Sequence, residues 1–234
     1  MKVLAVDTSS NIAGVAISID NNITSSQSIN NKKTHSQTIM PMIDEALKNS
    51  NMQIEDVDLF VYTNGPGSFT GLRIGSSIVK AFAHALNKPV VQVSTLEALA
   101  YNIAFSDALI VPIMDARRNQ VYTAGYKRIN GKIELCIDED AMDIKILLDI
   151  IDKKNETAVF LGDGVSVYQD YIKANYERHM FAPANLRMQN PASVLQCGLE
   201  KYYNSQAVTY KDVSLRYLRK PQAEREYDER EKIK

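Results

Sequence analysis

The chain has 234 residues, of which 45% are hydrophobic, and this is enough for one large domain or two small ones with packed cores. Its formal net charge of −1 argues against a strongly basic nucleic-acid-binding face, so any RNA substrate would need a partner to supply most phosphate contacts. The two cysteines, Cys136 and Cys197, form no CxxC pattern, which argues against a disulfide framework or a zinc knuckle.

No targeting or membrane signal is visible in the sequence. The apolar run near residue 1 is about four residues long, whereas a signal peptide needs roughly 7 to 15. No stretch approaches the roughly 18 apolar residues of a membrane-spanning helix. We therefore expect a cytoplasmic protein without membrane contact.

The first half of the chain predicts a three-stranded antiparallel meander followed by alternating helices and strands. The meander begins with two β-rich runs joined by a polar DTSSN turn. The predicted elements are strands at 2–6, 13–19 and 22–29, a helix within 34–50, a strand at 58–67 that runs into a glycine-rich loop, a helix at 70–87, a strand at 89–94 and a helix at 95–104. This order describes one α/β unit, residues 1–104.

The second half repeats the opening plan. Asp7 and Asn11 precede one strand and Asp115 and Asn119 precede another with the same spacing, which favours an internal duplication. Three strands within 108–136, with a turn at residues 130 and 131, precede a helix near 142–152, a strand at 157–164 and helices at 165–174 and 192–203. We assign residues 105–215 to a smaller second unit and residues 216–234 to a charged, solvated tail.

Several stretches together resemble a known family. "LAVDTSS", "HSQTIMPMIDEAL", "GPGSFTGLRIG", "PVVQVSTLEALA", "DARRNQVYTAGY" and "YLRKPQAE" are similar to the TsaB family, non-catalytic subunits of the bacterial complex that makes threonylcarbamoyladenosine in tRNA. The resemblance covers almost the whole chain and is densest over residues 1–126. It implies an actin-like, sugar-kinase-like fold of two related subdomains.

The resemblance also implies partners and the absence of a catalytic site of the chain's own. Catalysis and the metal are expected in a paralogous subunit, TsaD, and ATP hydrolysis in a third subunit, TsaE. The chain would then have no catalytic residue, metal or tightly bound cofactor, with ATP and magnesium bound only by the complex and tRNA contacted indirectly. It would form a homodimer in isolation.

An alternative function is that of a small-molecule kinase or ATPase with an actin-like fold. Asp7 could orient a hydrated magnesium ion, and Thr8 or Ser9 could donate to a phosphate, so these three residues mark a possible vestigial nucleotide site. Kinases of this fold place glycine in both hairpin turns, and DTSSN and DARRN contain none. The more ordinary interpretation is that Asp7 and the hydroxyls stabilise the turn itself.

The sequence lacks the residue patterns expected for metal binding by paired histidines or for a serine hydrolase. The catalytic paralogue is expected to bind its metal through two histidines at i and i+4, but His35 is followed at i+4 by Ile39. Ser68 lacks the G-x-S-x-G elbow of a serine hydrolase. A zinc peptidase is thus a third and weaker hypothesis.

The glycine-rich loop leads into a helix whose apolar residues spread over roughly 200°, where a one-sided surface helix needs about 100°. The loop lacks the GK[ST] ending of a phosphate-binding loop, although a helix N-terminus does attract anions. One interpretation is that this helix and the preceding one, within residues 34–50, are both buried inside their own subdomain. The other is that their surplus apolar surface, with close approach at two glycines, forms a four-helix subunit interface. On that hypothesis the partner-binding residues are Ile39, Met42, Ile43, Ala46, Gly71, Leu72, Gly75 and Val79.

Overall fold

The structure is a computed structural model, and it describes residues 1–31 and 34–219. The first of its two sheets has five strands in the order β3-β2-β1-β4-β5, with β1 antiparallel to β2 and parallel to β4. The strands are Lys2–Asp7 (β1), Ala13–Ile19 (β2), Asn22–Ile29 (β3), Leu59–Gly65 (β4) and Val90–Ser94 (β5). Strands β1 and β4 are buried on both faces, as expected for central strands covered by helices.

Three helices belong to this half of the chain: His35–Asn49 (α1), Phe69–Leu86 (α2) and Thr95–Ala100 (α3). The Ser68 side chain accepts a hydrogen bond from the Gly71 amide at 3.3 Å and so caps the start of α2. The helix ends at Asn87, which has the left-handed conformation that often terminates helices. Helices α1 and α2 pack on the same side of the sheet, over one core cluster.

The second sheet repeats the plan of the first, which confirms the predicted duplication. Its order is β10-β9-β6-β7-β8, with β6 antiparallel to β7 and parallel to β9. Its strands are Leu109–Asp115 (β6), Gln120–Ile129 (β7), Lys132–Asp143 (β8), Ala158–Leu161 (β9) and Met180–Phe181 (β10). Its helices are Ile144–Lys153 (α4), Val165–Asn175 (α5) and the short Ala184–Arg187 (α6).

The first hairpin turn of each sheet begins with the same aspartate contact. The Asp7 side chain accepts a hydrogen bond from the Ser9 amide at 2.9 Å, and the Asp115 side chain accepts one from the Arg117 amide at 2.8 Å. Each aspartate thus bonds to the backbone two residues later, which stabilises a tight turn without glycine. The repeated D-xxx-N pattern therefore places the same aspartate contact in both turns, although Arg117, Arg118 and Asn119 have positive φ and residues 8–11 do not.

The last helix, Pro191–Tyr203 (α7), returns to the first sheet. Its residues Val194, Leu195, Cys197 and Leu199 join the core formed by the outer face of β1, β4 and β5. Gly198 allows this approach, because a Cβ atom there would lie 2.4 Å from a Val61 methyl carbon. The predicted assignment of residues 191–215 to the second subdomain therefore does not match the packing of these residues.

Residues 208–219, which we call the C-terminal strap, follow α7 and lie against both halves of the molecule. The strap begins with an antiparallel bridge between Val208 and Val90 at the edge of the first sheet. It ends at Arg219, whose guanidinium donates to the Ala116 carbonyl in the second subdomain. Residues 216–219 are thus packed, in contrast to the predicted solvated tail, and residues 220–234 of that tail lie outside the described residues. Within the described part of the chain, no helix is both long and apolar enough to cross a bilayer.

Candidate functional site

The eight residues predicted to bind a partner lie inside the chain's own core. The side chains of Ile39, Met42, Ile43, Ala46, Leu72 and Val79 are at most 2% exposed, and Gly71 and Gly75 are buried. Most of the side chains pack against β1, β2 and β4 in a single cluster. The prediction that these residues form a docking face is therefore wrong for this structure, since none of them reaches the surface.

The two helix glycines serve an internal contact with the first hairpin turn. A Cβ atom at Gly71 would lie 2.1 Å from the Thr8 carbonyl oxygen, and one at Gly75 would lie 2.3 Å from the Thr8 hydroxyl. The Thr8 hydroxyl also donates a hydrogen bond to the Gly71 carbonyl at 2.8 Å. Glycine is thus required because the turn, and not a helix of another subunit, sits against α2.

The wide apolar arc of α2 is explained in part by the C-terminal strap. Val208, Tyr210, Val213 and Leu215 of the strap pack against the same core as α2. The Tyr210 ring contacts His84 in a tilted arrangement with 4.3 Å between ring centroids, and the Tyr217 ring stacks on Phe69 at 4.1 Å. The strap therefore runs along one flank of α2 from its last turn to its first. Helical periodicity cannot reveal a cover supplied by a distant segment of the chain.

The opposite flank of α2 is not covered by the strap. At about 100° per residue, Ile74, Ile78, Ala81 and Ala85 fall on the side away from the strap contacts. The two isoleucines are half-buried and the two alanines are exposed. On the neighbouring helix α1, Met40 is 44% exposed and Pro41 is also exposed. Together we call Met40, Pro41, Ile74, Ile78, Ala81 and Ala85 the outer apolar flank.

The possible nucleotide residues lie at the end of β1 and are mostly engaged by the protein itself. Asp7 is buried, and its Oδ1 accepts hydrogen bonds from the Ser9 amide and, at 2.9 Å, from the Thr63 hydroxyl. Burial raises the pKa of Asp7, and the Ser9 side chain and backbone oppose that rise. The hydroxyl of Thr8 is bonded to α2, as described above, and the Ser9 carbonyl accepts from the Ser68 amide at 2.7 Å.

A polar cleft of about 530 Å³ separates the two subdomains at these turns. Its walls are the first turn (9–11), the glycine loop (66–70), the second turn (115–117) and the end of the strap (216–219). Asp163, from the loop after β9, accepts a hydrogen bond from the Asp115 amide at 3.0 Å, and burial raises its pKa. The turns that would face phosphates have no glycine, and their Thr8 and Asp115 side chains already bond to the backbone. The prediction that the chain binds no cofactor tightly stays a prediction.

The glycine-rich loop packs closely against backbone on one side and lines the polar cleft on the other. A Cβ atom at Gly67 would lie 2.2 Å from the Ser9 carbonyl oxygen, and one at Gly65 would lie 2.2 Å from the Arg216 carbonyl oxygen. Gly65 also has a φ of +128°, which side-chain-bearing residues rarely adopt. The loop is thus a junction between the first turn, α2 and the strap.

The histidines do not come together as a metal site. The His35 Nε2 atom lies 2.7 Å from the Ser10 carbonyl oxygen, and the His84 ring contacts the Tyr210 ring. Among the residues described, no group of three histidine, cysteine, aspartate or glutamate side chains is arranged to hold a metal ion. Ser68, the serine considered for hydrolysis, caps α2 with its side chain.

Sequence reasoning missed the residues that join the strap to the cleft, notably Glu139, Arg216 and Tyr217. Each was visible as a charged or aromatic residue, but no local pattern links residue 139 with residue 216. The signal that could have pointed to them is the "YLRK" stretch, which belongs to the family resemblance and was treated only as the start of a tail.

Comparison with known proteins defines the family. A family profile described as "TsaD: tRNA N6-adenosine threonylcarbamoyltransferase" matches residues 21–227. The tRNA threonylcarbamoyladenosine biosynthesis protein TsaB of Bacillus subtilis (strain 168) is 36% identical over 173 residues, 74% of this chain and 76% of the relative. The chain belongs to the TsaB family. The TsaB of Haemophilus influenzae is 27% identical over 230 residues, 94% of each chain.

Solved structures agree with the TsaB fold. An uncharacterized protein from Pseudomonas aeruginosa with similarity to peptidase YEAZ superposes with a TM-score of 0.80 at 24% identity, covering 93% of this chain and 99% of that one. YeaZ from the same organism has a TM-score of 0.74 at 24% identity, with the same coverage. The predicted α/β fold with duplicated subdomains is confirmed, and TsaB membership confirms the family resemblance drawn from the sequence.

Proposed function

We propose that this TsaB-family chain is a non-catalytic subunit that docks on a TsaD subunit and supports threonylcarbamoyl transfer to an adenosine in tRNA. The printed names of its relatives support a role in threonylcarbamoyladenosine biosynthesis. The observation that carries the docking is the outer apolar flank of α1 and α2, where Met40, Pro41, Ala81 and Ala85 are exposed beside the half-buried Ile74 and Ile78.

The geometry of the flank suits a helix-to-helix contact. Ala81 and Ala85 are one turn apart, so the small side chains form an exposed strip flanked by the half-buried Ile74 and Ile78. Small residues let two helices approach closely, and the larger isoleucines beside them supply apolar contact area. In isolation the same strip would pair with a second copy, which accounts for the proposed homodimer.

The polar features of the chain favour a binding role over a catalytic role. Thr8 of the first turn donates to α2, and the Ser9 carbonyl accepts from the Ser68 amide of the glycine loop, so these groups serve internal packing. We accordingly place the transferase chemistry in TsaD, with ATP, magnesium, TsaE and tRNA engaged by the cytoplasmic complex as a whole.

Charge substitutions at the exposed alanines test the docking. Ala81→Glu and Ala85→Glu should leave the monomer folded, since both side chains point to solvent in the free chain. In the complex each would place a carboxylate against apolar surface, which costs at least about 2 kcal/mol, or roughly thirtyfold in Kd. Ala174→Glu, at an exposed alanine of α5, is the matched control.

The measurement is isothermal titration calorimetry of each variant with the cognate TsaD, with light scattering of the free chain for the homodimer. We expect the two α2 variants to lose TsaD affinity and self-association while the α5 control retains both. Wild-type affinity for TsaD in both α2 variants would disprove docking on this flank.

A further inference from the structure

The last six residues of the strap, 214–219, connect the two subdomains across the cleft, and we call them the distal strap. We propose that the distal strap is a detachable latch that holds the subdomains closed over the cleft. The latch acts on the opposite flank of α2 from the docking surface, so it does not depend on the proposed function.

One end of the latch is bound to the first subdomain through the buried Tyr62 and the half-buried Gln92. The Tyr62 hydroxyl donates to the Ser214 carbonyl at 2.6 Å, and the Ser214 hydroxyl lies 3.0 Å from Gln92 Oε1. Burial raises the pKa of Tyr62, which keeps this phenol protonated and able to donate. The Arg216 amide then donates to the Asn64 carbonyl at 2.8 Å, beside the end of β4.

The other end is bound to the second subdomain by two arginines. The Arg216 guanidinium pairs with Glu139 of β8 at 2.7 Å, and the Arg219 guanidinium donates to the Ala116 carbonyl at 2.6 Å. The Glu139 side chain is only 5% exposed, and it also accepts hydrogen bonds from the hydroxyls of Ser94 and Tyr126. Ser94 lies on β5, so Glu139 joins the first sheet, the second sheet and the latch at one point.

The distal strap is built to detach more easily than the elements it connects. It contains no helix or strand, and none of its six residues is fully buried, although Leu215 and Leu218 pack partly buried against core clusters. Arg216 is 52% exposed, whereas its partner Glu139 is buried. Segments with few buried apolar contacts and solvent-exposed hydrogen bonds open locally at a lower free energy than the core. The latch can therefore open while both sheets stay folded.

Opening the latch would change the cleft directly. Residues 216–219 form one of its walls, and Tyr217 is held there by stacking on Phe69 and by the Arg73 side chain, whose Nε lies 3.3 Å from the Tyr217 hydroxyl. Removing this wall would free Glu139 from its cation and widen the cleft between the turns at residues 8–11 and 116–119. The position of the strap thus controls access to the cleft.

Hydrogen exchange of the full chain tests the latch. The variants are Arg216→Gln, which removes the ion pair to Glu139, and Tyr217→Ala, which removes the stack on Phe69. The matched controls are Arg128→Gln on β7 and Tyr203→Ala at the end of α7, because both residues are exposed and lie outside the distal strap. Urea unfolding of every variant reports whether the global stability has changed.

We expect the backbone amides of the distal strap and of the two cleft turns to exchange at least about tenfold faster in both latch variants than in the controls. Exchange in the core strands β1 and β6 should be unchanged. Faster exchange in the distal strap alone, with the turns still protected, would overturn the proposal, because the strap would then be a frayed end. Unchanged exchange in both regions would also overturn it. Fast exchange that spreads equally into β1 and β6 would mean global destabilisation and no latch.

Discussion

Replacing Gly75 by alanine tests the contact between α2 and the first hairpin turn. The new Cβ atom would lie 2.3 Å from the Thr8 hydroxyl oxygen and 3.5 Å from two Thr8 carbons. The hydroxyl must therefore move, and its 2.8 Å hydrogen bond to the Gly71 carbonyl is lost or distorted. On helix propensity alone the substitution would instead stabilise the protein, since alanine is favoured over glycine by about 1 kcal/mol inside a helix.

The destabilising effects of the new methyl group are larger than this gain in helix propensity. Overpacking of a close contact costs about 1–3 kcal/mol, and loss of the hydrogen bond adds about 1 kcal/mol. After the propensity gain is subtracted, Gly75→Ala should destabilise the chain by about 1–3 kcal/mol. A loss of about 2 kcal/mol corresponds to a decrease in Tm of roughly 4–8 °C for a chain of this size.

A double-mutant cycle in urea isolates the contact. Thr8→Ala removes the hydroxyl that the new methyl group would strike, so Gly75→Ala should cost less in the Thr8→Ala background than in the wild type. The two substitutions should be coupled by at least about 1 kcal/mol. If Gly75→Ala instead raises the free energy of unfolding, with no coupling to Thr8, then the turn does not press on α2 and the glycine serves another purpose.

Three further substitutions test the core and its buried polar groups. Ile43→Glu should leave the chain unfolded in circular dichroism, and not merely unable to bind TsaD, because the side chain is 2% exposed; a folded variant would contradict the core assignment. Thr63→Val removes a donor to buried Asp7 and should cost about 1–2 kcal/mol in urea unfolding, so an unchanged midpoint would show that the bond contributes nothing. Burial lowers the pKa of His179 below 6.5, so its contribution to stability is present above pH 6.5 and lost as the pH falls below it. His179→Gln should reduce this pH dependence of urea unfolding, and an unchanged pH profile would contradict the assignment.

Most of the secondary structure could be predicted because it depends on local patterns. The strand runs, the caps and the repeated turn around Asp7 and Asp115 are encoded within about ten residues each. The end of β8 was the main boundary error: a helix was expected from residue 142, whereas the strand continues to Asp143 and α4 begins at Ile144. Asp143 caps that helix through its side chain, a signal that the sequence contained.

The surface of α2 could not be predicted because it depends on contacts between distant segments. The apolar arc was correctly judged too wide for a one-sided helix, but its cover comes largely from the sheet, the Thr8 turn and the strap. Only after these contacts are known does a smaller flank remain, centred on Ala81 and Ala85. The candidate docking surface therefore shifted from the buried face of the helix to its outer side.

The most direct test of the proposed function is hydrogen exchange of this chain with and without saturating TsaD. The account predicts added protection in peptides covering residues 35–49 and 69–86, and none in peptides from α4 and α5. Protection confined to the second subdomain, with α1 and α2 unchanged, would contradict docking through the outer apolar flank.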